Sequence, residues 1–208
     1  MNYFVSGIGT NVGKTLVSAI LVEALKADYW KPVQSGTTEG MDSETVRSLI
    51  SNGQTVIHPE SYLLKEPLSP HFAAKLEGVE IELSKIIRPE TSNTLIIEGA
   101  GGLLVPLNDR DAVIALARQF DAEVVLVISD YLGCINHALL SLYYLQSHRY
   151  KVHSLVFNGH FAAEVKEAIV SKADPNVRIL SVPRLERLSK EAVREIADGI
   201  ILKPHTCQ

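Results

Sequence analysis

Gly7-Ile8-Gly9-Thr10-Asn11-Val12-Gly13-Lys14-Thr15 stands between a short apolar run, Asn2–Ser6, and a segment of helical periodicity, Lys14–Ala27. A strand, a glycine-rich turn and a helix in that order form a phosphate-binding loop. Glycines let successive backbone N–H groups turn inward around an anion, and the helix start adds its positive dipole end. Lys14 is placed to reach terminal phosphates and the Thr15 hydroxyl to ligate Mg²⁺, which makes Asn11, Val12, Gly13, Lys14, Thr15 and Leu16 candidate nucleotide contacts. The common pattern G-x-x-x-x-G-K-[ST] puts a glycine at position 8, whereas this chain has Gly7 and Gly9, a loop one residue longer. The structural alternative is a glycine-rich turn that caps a helix and binds nothing.

Outward from this loop, further apolar runs recur at Asp28–Val33, Thr94–Glu98, Glu123–Ser129, Val152–Asn158 and Val177–Val182. They are near-continuously apolar, as expected for strands covered on both faces. Helical periodicity follows at Asp42–Ser51, Asp111–Phe120, Asn136–His148, Ala162–Lys172 and Ser189–Asp198. The alternation predicts an α/β fold: a single domain over residues 1–208 with a doubly wound, mostly parallel sheet and helices on both faces. His58–Arg88 breaks the alternation with Pro59, Pro67 and Pro70, and reads as short helices inserted over a site before the third strand.

The chain has 208 residues, 46% of them hydrophobic, enough for one buried core, and a formal net charge of −4. That charge offers no long-range attraction for nucleic acid or an anionic membrane, so small anions are the expected ligands. No apolar run approaches the roughly 20 residues of a membrane-spanning helix. With Cys134 and Cys207 the only cysteines, no disulfide framework is expected and a cytoplasmic location fits. The seven histidines lack the spacing of a zinc site.

Two more stretches carry chemistry. Tyr29-Trp30-Lys31-Pro32-Val33-Gln34-Ser35-Gly36 sets a lysine at the end of an apolar strand, where its charge requires an anion. Lys31 is thus placed near the phosphates, where a phosphate or carboxylate substrate would supply that anion, the alternatives being a lysine that snorkels to solvent or pairs with a core carboxylate. Ser35 either binds substrate or caps the turn. In Ile96-Ile97-Glu98-Gly99-Ala100-Gly101-Gly102 a carboxylate ends a strand, and the small residues after it allow close approach, so Glu98, Gly99, Ala100 and Gly101 are candidate nucleotide or metal contacts. Mg²⁺ prefers oxygen ligands, and Thr15, Glu98 and Asp42 offer them. Asp42 in Asp42-Ser43-Glu44-Thr45 serves equally well as a helix N-cap.

Taken in order, G-x-x-T-x-V-G-K-T, K-P-V-x-S-G, an Asp opening a helix, E-G-A-G-G and L-G-x-I-N-H resemble dethiobiotin synthetase, from the amino terminus through about Asn158. The resemblance implies ATP- and Mg²⁺-dependent closure of a cyclic urea from 7,8-diaminononanoate and CO₂. It implies Lys14 on the terminal phosphates, Lys31 as the catalytic lysine, Thr15, Asp42 and Glu98 around the metal, and Ser35 near the reacting amines. Gly133, Cys134, Ile135 and Asn136 would hold the substrate carboxylate across a homodimer interface, although Asn136 as an N-cap and Cys134 as a buried apolar side chain are adequate structural readings. Asn158, Gly159 and Pro183 fall where the family reads the base. Past Pro183 the family's acidic residue corresponds to Glu186, Glu191 or neither. Ser69-Pro70-His71 matches a segment over the active site.

A ParA/MinD-like switch ATPase shares the expected fold and loop, but such switches usually carry an extra lysine early in the loop, where this chain has Gly9. Leu202-Lys203-Pro204-His205 breaks an amphipathic carboxyl-terminal helix, and Lys31 has no task in a switch. A related synthetase with a glutaminase domain would need a longer chain. A binding module without chemistry leaves Lys31 and Glu98 unexplained.

Overall fold

Apolar side chains on both faces of a strand can be buried only where helices cover both faces, and the strands of this chain obey that rule. The computed structural model describes residues 1–201; Leu202-Lys203-Pro204-His205 and Cys207 lie outside the described residues. Along the chain run β1 (Asn2–Gly7), α1 (Lys14–Leu25), β2 (Asp28–Trp30), β3 (Val33–Ser35), α2 (Asp42–Leu49), β4 (Ile57–His58), β5 (Tyr62–Leu64) and α3 (Pro70–Leu76). Then come β6 (Leu95–Gly102), α4 (Ala115–Gln119), β7 (Glu123–Ser129), α5 (Cys134–Ser147), β8 (Val152–Asn158), α6 (Ala163–Val170), β9 (Arg178–Val182) and α7 (Lys190–Ile201).

A seven-stranded sheet has the order β4-β2-β6-β1-β7-β8-β9, and its neighbouring strands pair in parallel. Phe4, Val5, Ile96, Ile97, Val124, Leu126, Leu155 and Phe157 fill its centre. Helices α1, α2 and α7 pack together on one face, while α5 lies on β7 and packs against α6. Right-handed crossovers put α5 and α6 on the other face. The chain leaves β1 for β2 on one side and leaves β6 for β7 on the other, so the sheet has a switch point at the carboxyl ends of β1 and β6, where open α/β sheets bind ligands.

Several boundaries differ from the sequence reading. The expected strand Asp28–Val33 is two, because Pro32 has no N–H for the ladder and β3 leaves to pair with β5 in a separate parallel sheet. Neither β4 nor β5 was expected in the His58–Arg88 stretch, since strands of two or three residues carry no periodicity. The third expected strand continues past Glu98 to Gly102, and between Val5↔Glu98 and Gly7↔Gly102 its register slips in a bulge. Helix α4 starts at Ala115, not Asp111, because Ala112 bridges Pro106 and the Asn108 side chain accepts from the Asp111 N–H at 2.8 Å, holding a turn there. Among the described residues, no helix is long and apolar enough to cross a membrane.

Candidate active site

At the switch point a cleft of about 860 Å³ opens, lined by Asn11, Gly13, Lys14, Thr15, Lys31, Ser35, Asp42, Glu98, Ala100 and Gly101 from widely separated parts of the chain. The loop is shaped by its glycines. Gly13, the residue before α1, has φ of 91°, and a Cβ there would strike the Asn158 carboxamide. A Cβ on Gly7 would meet Val12 and come within 2.8 Å of the Gly9 carbonyl oxygen. Lys14 folds back over the loop and donates to Gly9 O at 3.3 Å. Burial lowers its pKa, with Glu98 pulling the other way.

Four side chains converge on the floor. Thr15 Oγ1 lies 2.8 Å from Asp42 Oδ1 and 3.0 Å from Glu98 Oε1, and a hydroxyl carries only one proton to share between two carboxylates. Lys31 Nζ is 3.1 Å from Glu98 Oε1 and forms an ion pair with Asp42. Burial alone would lower the Lys31 pKa, but Glu98 and then Asp42 outweigh it, and the net shift is upward. Asp42 is the mirror case: burial pushes its pKa up, Lys31 and Thr15 push it down, and the net shift is downward. The lysine therefore does not snorkel: it pairs with carboxylates, as the structural alternative for Lys31 holds.

Asp42 is not the N-cap of its helix. Met41 precedes α2, Asp42 is its first residue, and the Asp42 N–H donates to Gln34 Oε1 at 3.1 Å, which leaves the carboxylate free for Lys31 and Thr15. Asn136 is not a cap either. Gly133, with φ of 105°, precedes α5, so Asn136 lies inside the first turn. The Cys134 side chain is buried and its N–H donates to Tyr131 O at 3.0 Å. Gly133, Cys134, Ile135 and Asn136 do not line the cleft.

Val12, Leu16 and Gly99 also stand behind the cleft wall; a Cβ on Gly99 would lie 3.0 Å from Phe4 and Val113. Asn158 borders the loop, and none of Asn158, Gly159 and Pro183 lines the cleft. Asn158 Nδ2 donates to Val12 O at 2.9 Å, Gly159 N–H donates to Val182 O at 2.9 Å, and Asn158 pairs with Val182 across β8 and β9. Sequence reasoning missed Gln34, Thr10 and the wall of Pro67, Leu68 and Val105, and it missed Tyr29, whose Oη donates to Glu98 Oε2 at 2.9 Å. A phenol inside an apolar strand was the available signal, because a buried tyrosine hydroxyl needs a partner.

A family model described as an AAA domain matches residues 1–192. The chain is 53% identical over 196 residues to the ATP-dependent dethiobiotin synthetase BioD of Cytophaga hutchinsonii, covering 94% of each chain. It is 40% identical over 195 residues to the enzyme of the same name from Agrobacterium fabrum, covering 94% of this chain and 92% of that one. Solved structures with the same fold include the septum site-determining protein MinD of Pyrococcus horikoshii complexed with Mg-ADP, at 13% identity and TM-score 0.52 with 96% of each chain covered. A ParA family ATPase of Chlorobium tepidum matches at 11% identity and TM-score 0.55, covering 95% of this chain and 89% of that one. The two ATPases share the fold alone, whereas the synthetases share the sequence over nearly the full length of both chains, and the chain belongs to the ATP-dependent dethiobiotin synthetase family.

Proposed function

We propose that the chain, as one nucleotide-binding domain, is an ATP- and Mg²⁺-dependent dethiobiotin synthetase that joins 7,8-diaminononanoate and CO₂ into a cyclic urea. The observation that carries the residue roles is the meeting of Thr15, Lys31, Asp42 and Glu98 on one cleft floor beside the loop. These residues suit a divalent cation: Thr15 Oγ1 is a hard oxygen donor with two more, Asp42 Oδ1 and Glu98 Oε1, within hydrogen-bonding distance of it. A Mg²⁺ ion held by Thr15, Asp42 and Glu98 would supply positive charge to the phosphoryl transfer.

One substrate amine attacks CO₂, forms a C–N bond and releases a proton. A carbamate oxygen then takes the γ-phosphoryl group and ADP leaves. The second amine attacks the carbonyl carbon, phosphate departs with the oxygen, and the ring closes with loss of another proton. Protein nucleophiles have no part in these steps. Lys14 binds the terminal phosphates. Lys31 acts as a fixed positive charge on the carbamate and the moving phosphoryl group, since its neighbours raise its pKa and keep it an ammonium ion, unsuited to serve as a base. Ser35, on the cleft wall, orients the amines. Asn158, Gly159 and Pro183 receive the base.

The substrate carboxylate binds at the start of α5, at Gly133, Cys134, Ile135 and Asn136, contributed by a second copy of the chain in a homodimer. What supports this is the set of exposed apolar side chains before and along α5, Leu132, Leu140 and Tyr143, which a partner would cover. The net charge of −4 supports small-molecule partners over nucleic acid or membrane, and the scarcity of cysteine supports the cytoplasm.

The test is phosphate release with Mg·ATP and bicarbonate, with and without 7,8-diaminononanoate, and the cyclic product identified by mass. Diamine-dependent release with product is expected. Steady hydrolysis indifferent to the diamine would move the protein to the switch ATPases.

A further inference from the structure

Strand geometry puts Tyr29 and Lys31 on one face of the chain, two residues apart, with Trp30 on the other, packed 5.3 Å from Phe120 between ring centroids. Tyr29 pairs with Ile96 on β6, and Glu98 follows two residues later on the same face. Tyr29 thus lies beneath the cleft floor, fully buried, outside the cleft lining, and its hydroxyl reaches up to the back of Glu98.

The two oxygens of Glu98 are divided between different tasks. Oε1 has Thr15 Oγ1 at 3.0 Å and Lys31 Nζ at 3.1 Å, while Oε2 accepts from Tyr29 Oη at 2.9 Å. An ionised carboxylate has no proton to give, so the phenol is the donor. Without it, a buried carboxylate oxygen loses its partner, and the group is free to turn about its last torsion, which is broad for a glutamate.

We infer that Tyr29 is a positioning residue, which fixes the orientation of Glu98 so that a single oxygen faces the cation and phosphates. The inference rests on the metal role proposed for Glu98. Outer-shell partners of metal-binding groups commonly change affinity by about 10–100-fold when removed. Nothing polar replaces the hydroxyl in Tyr29→Phe, and the ring that fills the core is kept.

The experiment titrates Mn²⁺ into the protein–ADP complex by calorimetry for the parent, Tyr29→Phe, Glu98→Gln and the double variant. Mn²⁺ affinity is expected to fall about tenfold in Tyr29→Phe, with ADP affinity in chelator unchanged and a cooperative melt at a somewhat lower temperature, since a buried carboxylate oxygen loses its donor. The double variant is expected to bind no worse than Glu98→Gln, because Tyr29 acts through Glu98. A fall in Glu98→Gln with parental affinity in Tyr29→Phe would overturn the Tyr29 inference and leave the metal reading standing. Parental affinity in both would remove both. Additive losses in the double variant would show that Tyr29 acts by another route and overturn the inference as well.

Discussion

The two halves of the sheet's carboxyl edge are built on different terms. On the β2–β6–β1 side, charged groups from α1, the segment between β2 and β3, α2 and β6 satisfy one another: Lys31 pairs with Asp42 and Glu98, and both carboxylates lie against Thr15. On the β7–β8 side the chain turns into α5 with apolar side chains outward, Leu132 fully exposed and Leu140 and Tyr143 mostly so. The first half is electrostatically complete within one chain. The second presents a surface that one chain leaves uncovered. The proposed function assigns chemistry and phosphate binding to the protomer, and recognition of the substrate's far end to a pair of chains.

The strongest way to break this contrast is Lys31→Ala. Removing one preorganised charge that acts on the transition state costs about 10²–10³-fold in kcat, and ADP affinity should stay close to the parent value because Lys14 and the loop are untouched. Thermal stability should fall too, since Asp42 and Glu98 lose their counter-ion; a broken buried pair costs about 3–5 kcal/mol, reduced here by water at the partly open Asp42. Steady-state kinetics and a melting curve check both. Parental turnover would take Lys31 out of the mechanism.

A smaller effect is expected on the other half. Leu132→Asp puts a charge on the apolar end of α5, and sedimentation should show the dimer shifting to monomer. The KM for the diamine should rise about tenfold, the size of one lost interface anchor, with ADP binding unchanged. A monomeric variant with parental KM would confine the whole site to one chain and dissolve the contrast.

The acid limb of stability sharpens it further. The Asp42 pKa is lowered in the folded protein, so its contribution is present above its unfolded value of about 3.9 and disappears as pH falls through the depressed folded value. Lys31 is the reverse: its folded pKa is raised, and its contribution is full below about 10.4 and lost as pH rises through the raised value. In urea unfolding from pH 6 downward, the parent's advantage over Asp42→Asn should therefore shrink in acid. An advantage independent of pH would mean that Asp42 stabilises by packing.

What could be read in the sequence follows from how local each cause is. The loop before α1 and the apolar strands were legible because glycine spacing and strand-length apolar runs are properties of neighbouring residues. The break at Lys31-Pro32 was not, because β3 is drawn away by β5, nearly thirty residues later. The candidate metal carboxylates were nameable by type, yet their joint ion pairing with Lys31 depends on β2 lying beside β6. Tyr29 was hidden for the opposite reason: within an apolar run a tyrosine reads as core, and only the fold shows what its hydroxyl touches. The start of α5 was misplaced by two residues, since Asn136 looks like a cap and Gly133 does the work through its backbone.

The smallest expected effect concerns Gln34, in β3, whose side chain reaches the first residue of α2. Its Oε1 accepts from the Asp42 N–H at 3.1 Å and its Nε2 donates to Ser35 O at 2.7 Å, so one side chain ties the start of α2 to the end of β3. Gln34→Ala should cost about 1 kcal/mol, the worth of a helix-start acceptor, and raise the Mg²⁺ concentration for half-maximal turnover about threefold, the equivalent of about 0.7 kcal/mol. Gln34→Glu keeps the acceptor but adds negative charge beside Asp42. It should hold the helix start as the parent does while moving the acid limb of stability toward higher pH, because a nearby carboxylate opposes ionisation of Asp42. If the alanine and glutamate variants behave alike in both measurements, the amide is not what places Asp42, and its position must come from the ion pair with Lys31 alone.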